Sequence, residues 1–242
     1  RLKGLEALIG VTVVNPRLTD QGWQFGGFPG ADEDPHHGAR YLHELYTRAD
    51  PEVCGRATVP VLWDTHTDTL VNNESADILR MLNGAFSHLV DRGPDLYPDH
   101  LAAEIDALNN VIYTELNNGV YQAGFASSQP AYEEAYGKVF ARLDALEARL
   151  GDGRSYLFGE ALTESDIRLF VTLVRFDAAY HGLFKCNRNT LSDMPALHAY
   201  LHRLLALEGI AETVNLEHIK AGYYSIKALN PTGIVPVGPA AL

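Results

Sequence analysis

The sequence predicts a small α/β domain followed by a larger all-helical one, and three observations carry that prediction. Residues 55–86 (GRATVPVLWDTHTDTLVNNESADILRMLNGAF) alternate short β-prone runs with turn residues and then turn helical. Beyond Pro98 no strand-like alternation appears until the C-terminal tail. Between the two lies 87–98 (SHLVDRGPDLYP), whose prolines and glycine read as an interdomain linker. The predicted division is therefore 1–86, a linker over 87–98, and 99–242.

Within the first domain, residues 1–8 (RLKGLEAL) read as the tail of a helix and 11–14 as a strand ended by Asn15-Pro16. Residues 18–38 form a long polar, glycine-rich loop, a type that is usually functional or disordered. Trp23, Phe25 and Phe28 argue against plain disorder and leave two readings, pinning the loop to the core or walling a ligand. The acidic and histidine residues at 32–37 lack the spacing of a metal site, and no metal is predicted. A short helix over 39–49 carries Tyr41, Leu42, Leu45 and Tyr46 on its core face. Strands are predicted at 59–64 and 69–71, joined as a hairpin, with Asn72-Asn73 capping a helix whose apolar face is Ile78, Leu79, Leu82 and Phe86. Pro60 sits at a strand head, where a cis bond after Val59 is tolerated. Glu74 and Ser75 fall in the first helical turn, where free N–H groups attract an anion. A hairpin-helix with both features is the ligand-holding half of a thioredoxin-like domain.

In the second domain, Leu101, Ile105, Leu108, Ile112 and Leu116 share one helix face, and the Asn117-Asn118-Gly119 run reads as its stop. A second helix runs from near Ser128 to Leu150, and Thr163 to Asp166 is a capping box opening a third, apolar nearly all round and so buried. Pro195 starts a fourth, Ala211 a fifth, and the tail is extended and proline-rich.

Composition narrows the function. A formal net charge of −12 excludes a basic nucleic-acid-binding face. With 46% apolar residues and no uninterrupted apolar run of spanning length, no membrane partner is predicted, and residues 1–10 lack the apolar segment of a secretory leader. Two cysteines, Cys54 and Cys186, are too few for a disulfide framework and fit a reducing, cytoplasmic setting.

Several stretches point further: GWQF at 22–25, GR-x-TVPVLWD at 55–64, NNES at 72–75, NNGVYQAGFA at 117–126, RFDAAYHGLFKCN at 175–187 and YYSIKALNPTGIVPVGP at 223–239. Together they resemble the xi-class glutathione transferases, the glutathionyl-hydroquinone reductases, along the whole chain from Arg1. The resemblance implies a thioredoxin-like N-terminal domain, its first strand absent from this chain, ahead of an all-helical glutathione-transferase domain. It also implies a homodimer that uses glutathione as co-substrate and glutathionyl-hydroquinones as substrate. A cysteine attacks the glutathione sulfur, the hydroquinone leaves, and a second glutathione resolves the mixed disulfide, which requires a low-pKa thiolate. The family's nucleophile, in a Cys-Pro motif, is expected upstream of Arg1. Cys54 precedes a strand and Cys186 follows the central helix, so neither replaces it.

Position by position, the resemblance gives glutathione to Trp23, Arg56, the backbone of Val59, Glu74 (the ammonium) and Ser75 (the carboxylate). It gives the aromatic substrate to Tyr121, Tyr180 and Tyr223, with Tyr224 an alternative to Tyr223. Taken alone, Ser75 reads equally as a cap, Arg56 as a surface ion pair, and each tyrosine as core. Two other functions stay open: an omega-like thiol transferase or dehydroascorbate-type reductase, and a glutathione-binding module without catalysis.

Overall fold

The computed structural model describes residues 1–90 and 93–240. The linker reading therefore includes two residues, Asp91 and Arg92, outside the described set. Two compact units are present: Lys3–Arg92, and Gly93–Leu242 together with Arg1–Leu2.

The first unit is built on helix α1 (Leu42–Ala49) and an antiparallel hairpin of β1 (Leu62–Asp64) and β2 (Thr69–Asn72), followed by α2 (Ser75–Gly84). The hairpin pairs Trp63 with Leu70 and Asp64 with Thr69. Asp64 Oδ1 closes its turn by accepting from His66 N at 2.8 Å. Helix α1 turns Leu42, Leu45 and Tyr46 inward, where Phe25 and Ala39 complete a small buried cluster, with Trp23, Val61, Trp63 and Leu70 packed around it. Of the two readings of the 18–38 loop, Phe25 takes the first, 5% exposed in the core. Gly26 beside it has φ +62, and the Glu33 carboxyl lies where a Cβ would be, so no other residue fits there without displacement. The acidic–histidine stretch is a turn organised by Asp34, which accepts from the N–H groups of His36, His37 and Ala39. Burial works to raise the Asp34 pKa, but those three donors outweigh it and leave it lowered.

Several expected boundaries move. Residues 1–8 form turns, not a helix, because Gly4 has φ +65 and breaks the helical run. Residues 11–14 are extended but join no sheet. Val13 exchanges both backbone groups with Asp32, one through the Asp32 carboxylate, and Asn15 N donates to Gln24 O, so the loop takes the bonds a ladder would need. The first hairpin strand begins at Leu62 and not at Val59, since Pro60 has no N–H to give a ladder. The Val59–Pro60 bond is cis. The N-cap of α2 is Glu74, not Asn72-Asn73: Asn72 ends β2 and its Oδ1 accepts from Glu74 N at 2.6 Å, while the Asn73 amide turns to Tyr46.

The second unit is helical: α3 (Ala102–Ile112), α4 (Gly119–Gly124), α5 (Gln129–Leu150), α6 (Glu164–Arg175), α7 (Pro195–Leu205) and α8 (Leu216–Tyr223). Val139, Phe140, Leu143 and Leu146 of α5 meet Leu169 and Leu173 of α6 and Leu197 and Leu201 of α7 in one core, all nearly inaccessible. Leu96 of the expected linker joins that core, and its carbonyl accepts from Glu164 N, so the ordered helical unit starts ahead of residue 99. Glu147 of α5 caps α7 by accepting from Ala196 N and Leu197 N.

Asp166 is the polar centre of this core. Oδ1 accepts from Leu157 N at 2.9 Å and Tyr200 Oη at 2.7 Å, and Oδ2 accepts from Thr163 N at 2.8 Å. Burial pushes its pKa up against those bonds. The capping box at Thr163 is thus also a tie between α6, α7 and the 157 turn.

The Asn117-Asn118-Gly119 run does not stop a helix. The chain passes through a π turn, Tyr113–Asn117, into α4, and Asn117 Nδ2 donates to Arg168 O and Thr172 Oγ1 of α6, so its amide cannot compete for its own backbone. Residues 211–213 form a 3₁₀ turn, and Asn215 starts α8 by accepting from His218 N. No helix among the described residues is long and apolar enough to cross a membrane.

Candidate functional site

In the first unit a single hydroxyl joins the chain segments that carry the expected glutathione residues. Tyr46 Oη donates to Thr58 O at 2.8 Å and accepts from Thr58 N at 3.2 Å and from Asn73 Nδ2 at 3.0 Å. Thr58 immediately precedes Val59, and Asn73 immediately precedes Glu74. The exposed edge at Val59 (41%) and the start of α2 are therefore fixed to each other through α1. Glu74 and Ser75 are exposed, and no side chain caps the first turn of α2, so its N–H groups are open to a ligand. Trp23 is half-buried against the Phe25 cluster. Arg56 is exposed, with no hydrogen bond or ion pair to the others among the described residues. The structure brings Val59, Glu74 and Ser75 into one frame.

In the second unit Tyr121 of α4, Tyr180 at the end of the π turn Phe176–Tyr180, and Tyr223 ending α8 converge. Tyr223 Oη lies 2.6 Å from Tyr121 Oη and 2.8 Å from Tyr180 Oη. Counting hydrogens gives this chain a direction. Three hydroxyls carry three protons, and two bonds between them use two. Tyr180 is 3% exposed and its hydroxyl has Tyr223 as its one partner among the described residues, so it must donate or leave a buried O–H unsatisfied. Tyr223 then donates to Tyr121, and the free O–H belongs to Tyr121, 38% exposed. Burial pushes the Tyr180 and Tyr223 phenols above their ordinary range, aided by each other's and Tyr121's proximity, so both are protonated at neutral pH. Tyr224 makes no bond to these three hydroxyls among the described residues, and its own hydroxyl lies 2.9 Å from where a Cβ on Gly182 would stand.

Phe184 backs this cluster, with ring centroids 5.1 Å from Tyr121, 5.3 Å from Tyr180 and 5.7 Å from Tyr223. Its ring fills the space where a Cβ on Gly124 would stand, 2.5 Å from Cγ, so Gly124 is what admits it.

Residues 129–203 match the family model for the glutathione S-transferase C-terminal domain. Over 241 residues the chain is 52% identical to glutathionyl-hydroquinone reductase YqjG of Escherichia coli, covering 99% of this chain and 73% of that one. It is 51% identical to glutathionyl-hydroquinone reductase PcpF of Sphingobium chlorophenolicum, covering 99% and 76%. Among solved structures, glutathione-bound YqjG superposes with a TM-score of 0.96 at 51% identity, covering 98% of this chain and 78% of that one. Glutathione transferase Xi 1 of Trametes versicolor gives 0.96 at 48%, covering 100% and 86%. The chain belongs to the xi-class glutathione transferases.

For a member of this class the two cysteines present are informative. Cys186 is fully buried, and burial pushes its thiol up to about 12, so it is an inert packing group. Cys54 is exposed, its Sγ 3.5 Å from Glu52 O, in an irregular stretch between α1 and β1 and not at a helix N-terminus. Three residues that shape this xi-class chain's candidate sites escaped sequence reasoning. Tyr46 read as a core residue, though a tyrosine on an inward helix face always requires a partner for its hydroxyl. Phe184 and Gly124 carry no such signal, because their fit is a property of the packed rings alone.

Proposed function

We propose that this chain binds glutathione and a glutathionyl-hydroquinone and reduces the latter to the hydroquinone. A cysteine thiolate other than Cys54 and Cys186 attacks the sulfur of the thioether. The carbon–sulfur bond breaks with its electron pair on the ring carbon, which takes a proton, and the hydroquinone departs. The enzyme is left as a mixed disulfide with glutathione. A second glutathione thiolate attacks that disulfide, releasing glutathione disulfide and the enzyme thiolate. Across the cycle the aryl carbon is reduced and two glutathione sulfurs are oxidised to the disulfide.

Residues 1–86 take the tripeptide in this reading. The Val59 backbone pairs with it as an added strand would, Glu74 meets its ammonium, and Ser75 with the first turn of α2 takes a carboxylate. Trp23 lies along it and Arg56 takes the glycyl carboxylate. Residues 99–242 take the ring. The observation that carries the proposal is the directed hydroxyl chain, which leaves Tyr121 as the outward donor to a substrate oxygen or to the departing carbon. Homodimerisation, checked by light scattering, and a cytoplasmic setting, checked by fractionation, belong to the same reading.

The test is steady-state turnover of the full-length protein on a glutathionyl-hydroquinone and on a glutathionylated disulfide. Preference for the hydroquinone thioether is expected, with Tyr121→Phe lowering its kcat by about 100-fold or more, the range of a lost proton donor. A strong preference for the disulfide, unchanged in Tyr121→Phe, selects the thiol transferase instead. Binding of glutathione with no turnover on either substrate selects a non-catalytic module.

A further inference from the structure

Helix α7 carries an arrangement that none of the glutathione chemistry uses. His198 and His202 are four residues apart on one face, and their Nε2 atoms point at each other across 3.1 Å, with ring centroids 4.5 Å apart. His198 is half-buried and His202 exposed, so solvent reaches the pair. The i, i+4 spacing is what places two imidazoles side by side on a helix. Metal–nitrogen distances of about 2.0–2.1 Å set two adjacent imidazole nitrogens about 2.9–3.4 Å apart around one ion. The observed separation lies inside that window.

We propose that His198 and His202 form a bidentate site for a late divalent transition ion, Cu²⁺ before Ni²⁺ and Zn²⁺. In the metal-free protein one Nε2–H donates to the other nitrogen. On binding, that proton moves to Nδ1 of its own ring, and both Nε2 lone pairs face the ion with no net proton release. No other hydrogen bond holds either ring among the described residues, so the tautomer is free to change. The same lack of supporting partners makes the site exchangeable and not a structural staple. Nor is there a group of three or more candidate metal ligands among the described residues, so water completes the coordination sphere. The preference for copper follows from two imidazole ligands with no thiolate. The histidine pair adjacent in sequence in the first unit does not have this geometry. His36 and His37 are 6.3 Å apart at their centroids, and His37 Nε2 faces Asp68 at 3.0 Å.

The experiment is calorimetric titration of the full-length protein, free of any polyhistidine tag, with CuCl₂ and with NiCl₂ in a non-chelating buffer. One binding event should weaken tenfold or more in His198→Asn and equally in His202→Gln. Both variants should keep the metal-free melting temperature and glutathione-dependent turnover of the parent. The melting temperature of the parent alone should rise with metal. Should His198→Asn fail to fold, His202→Gln, at an exposed position, carries the test. Binding that is equal in parent and His202→Gln overturns the assignment, as does a parent that takes up neither ion at millimolar concentration.

Discussion

Tyr46 and Tyr180 both turn from a helix into a core, and both carry a buried hydroxyl that needs a partner, but they meet that need differently. Tyr46 bonds to the backbone of Thr58 and the amide of Asn73, so its hydroxyl is a brace between two chain segments. Among the described residues Tyr180 bonds only to another tyrosine, so its hydroxyl passes polarisation onward to Tyr223 and Tyr121. Their surroundings match these roles. The unit around Tyr46 has a small buried cluster and a helix α2 with no buried residue, so hydrogen bonds must fix its geometry. The unit around Tyr180 has an extensive core, which leaves hydroxyls free for other work. A buried tyrosine is therefore structural or chemical according to what its oxygen meets.

The largest effect expected is at the start of the helix that carries Tyr180. Asp166→Ala should cost about 2–4 kcal/mol, since it removes an N-cap partner and leaves Leu157 N and Tyr200 Oη without acceptors inside a core. Urea unfolding measures it, and a cost below 1 kcal/mol would show that this core does not depend on its polar centre. Next, Tyr46→Phe should cost about 1–2 kcal/mol. It should raise the KM for glutathione severalfold with kcat nearly kept, because it loosens the Val59–Glu74 frame and no reacting group. Tyr223→Phe inverts that split. It should lower kcat by about tenfold through loss of the donor behind Tyr121 while nearly keeping the KM for glutathione, and cost about 1–2 kcal/mol because the buried Tyr180 hydroxyl loses its acceptor. If Tyr46→Phe and Tyr223→Phe give the same split, the distinction between brace and relay fails.

The smallest effects concern the thiols. Cys54→Ser should change stability by less than about 0.5 kcal/mol, as for an exposed surface position. With Ellman's reagent at pH 8, Cys54 should react at once and Cys186 only after unfolding. The Cys186 pKa, about 12 in the fold, is raised above its unfolded value of about 8.5. The stability it contributes is thus complete below that lower value and is lost as pH rises towards 12. Melting curves across pH 8–11 should show that loss, and Cys186→Ala should flatten it.

Much of this was legible from residue order. The capping box at Thr163, the helix start at Ser128 and the Asp64–Thr69 turn are local signals, each acting within a few residues of itself, and each sits where expected. Other readings failed because a distant group supplied the bond. Asn117 looked like a helix stop until Arg168 O and Thr172 took its amide. Residues 11–14 looked like a strand until Asp32 took Val13's backbone groups. By itself, the sequence determined the order and class of the hairpin and of α1, α2, α3, α5, α6 and α7, because propensity, capping and periodicity act over one or two turns. Only the tertiary structure decided which tyrosine hydroxyls meet, which of them is left free to donate, and which glycine admits the ring behind them. Those depend on contacts between residues up to 102 positions apart, which no local rule encodes.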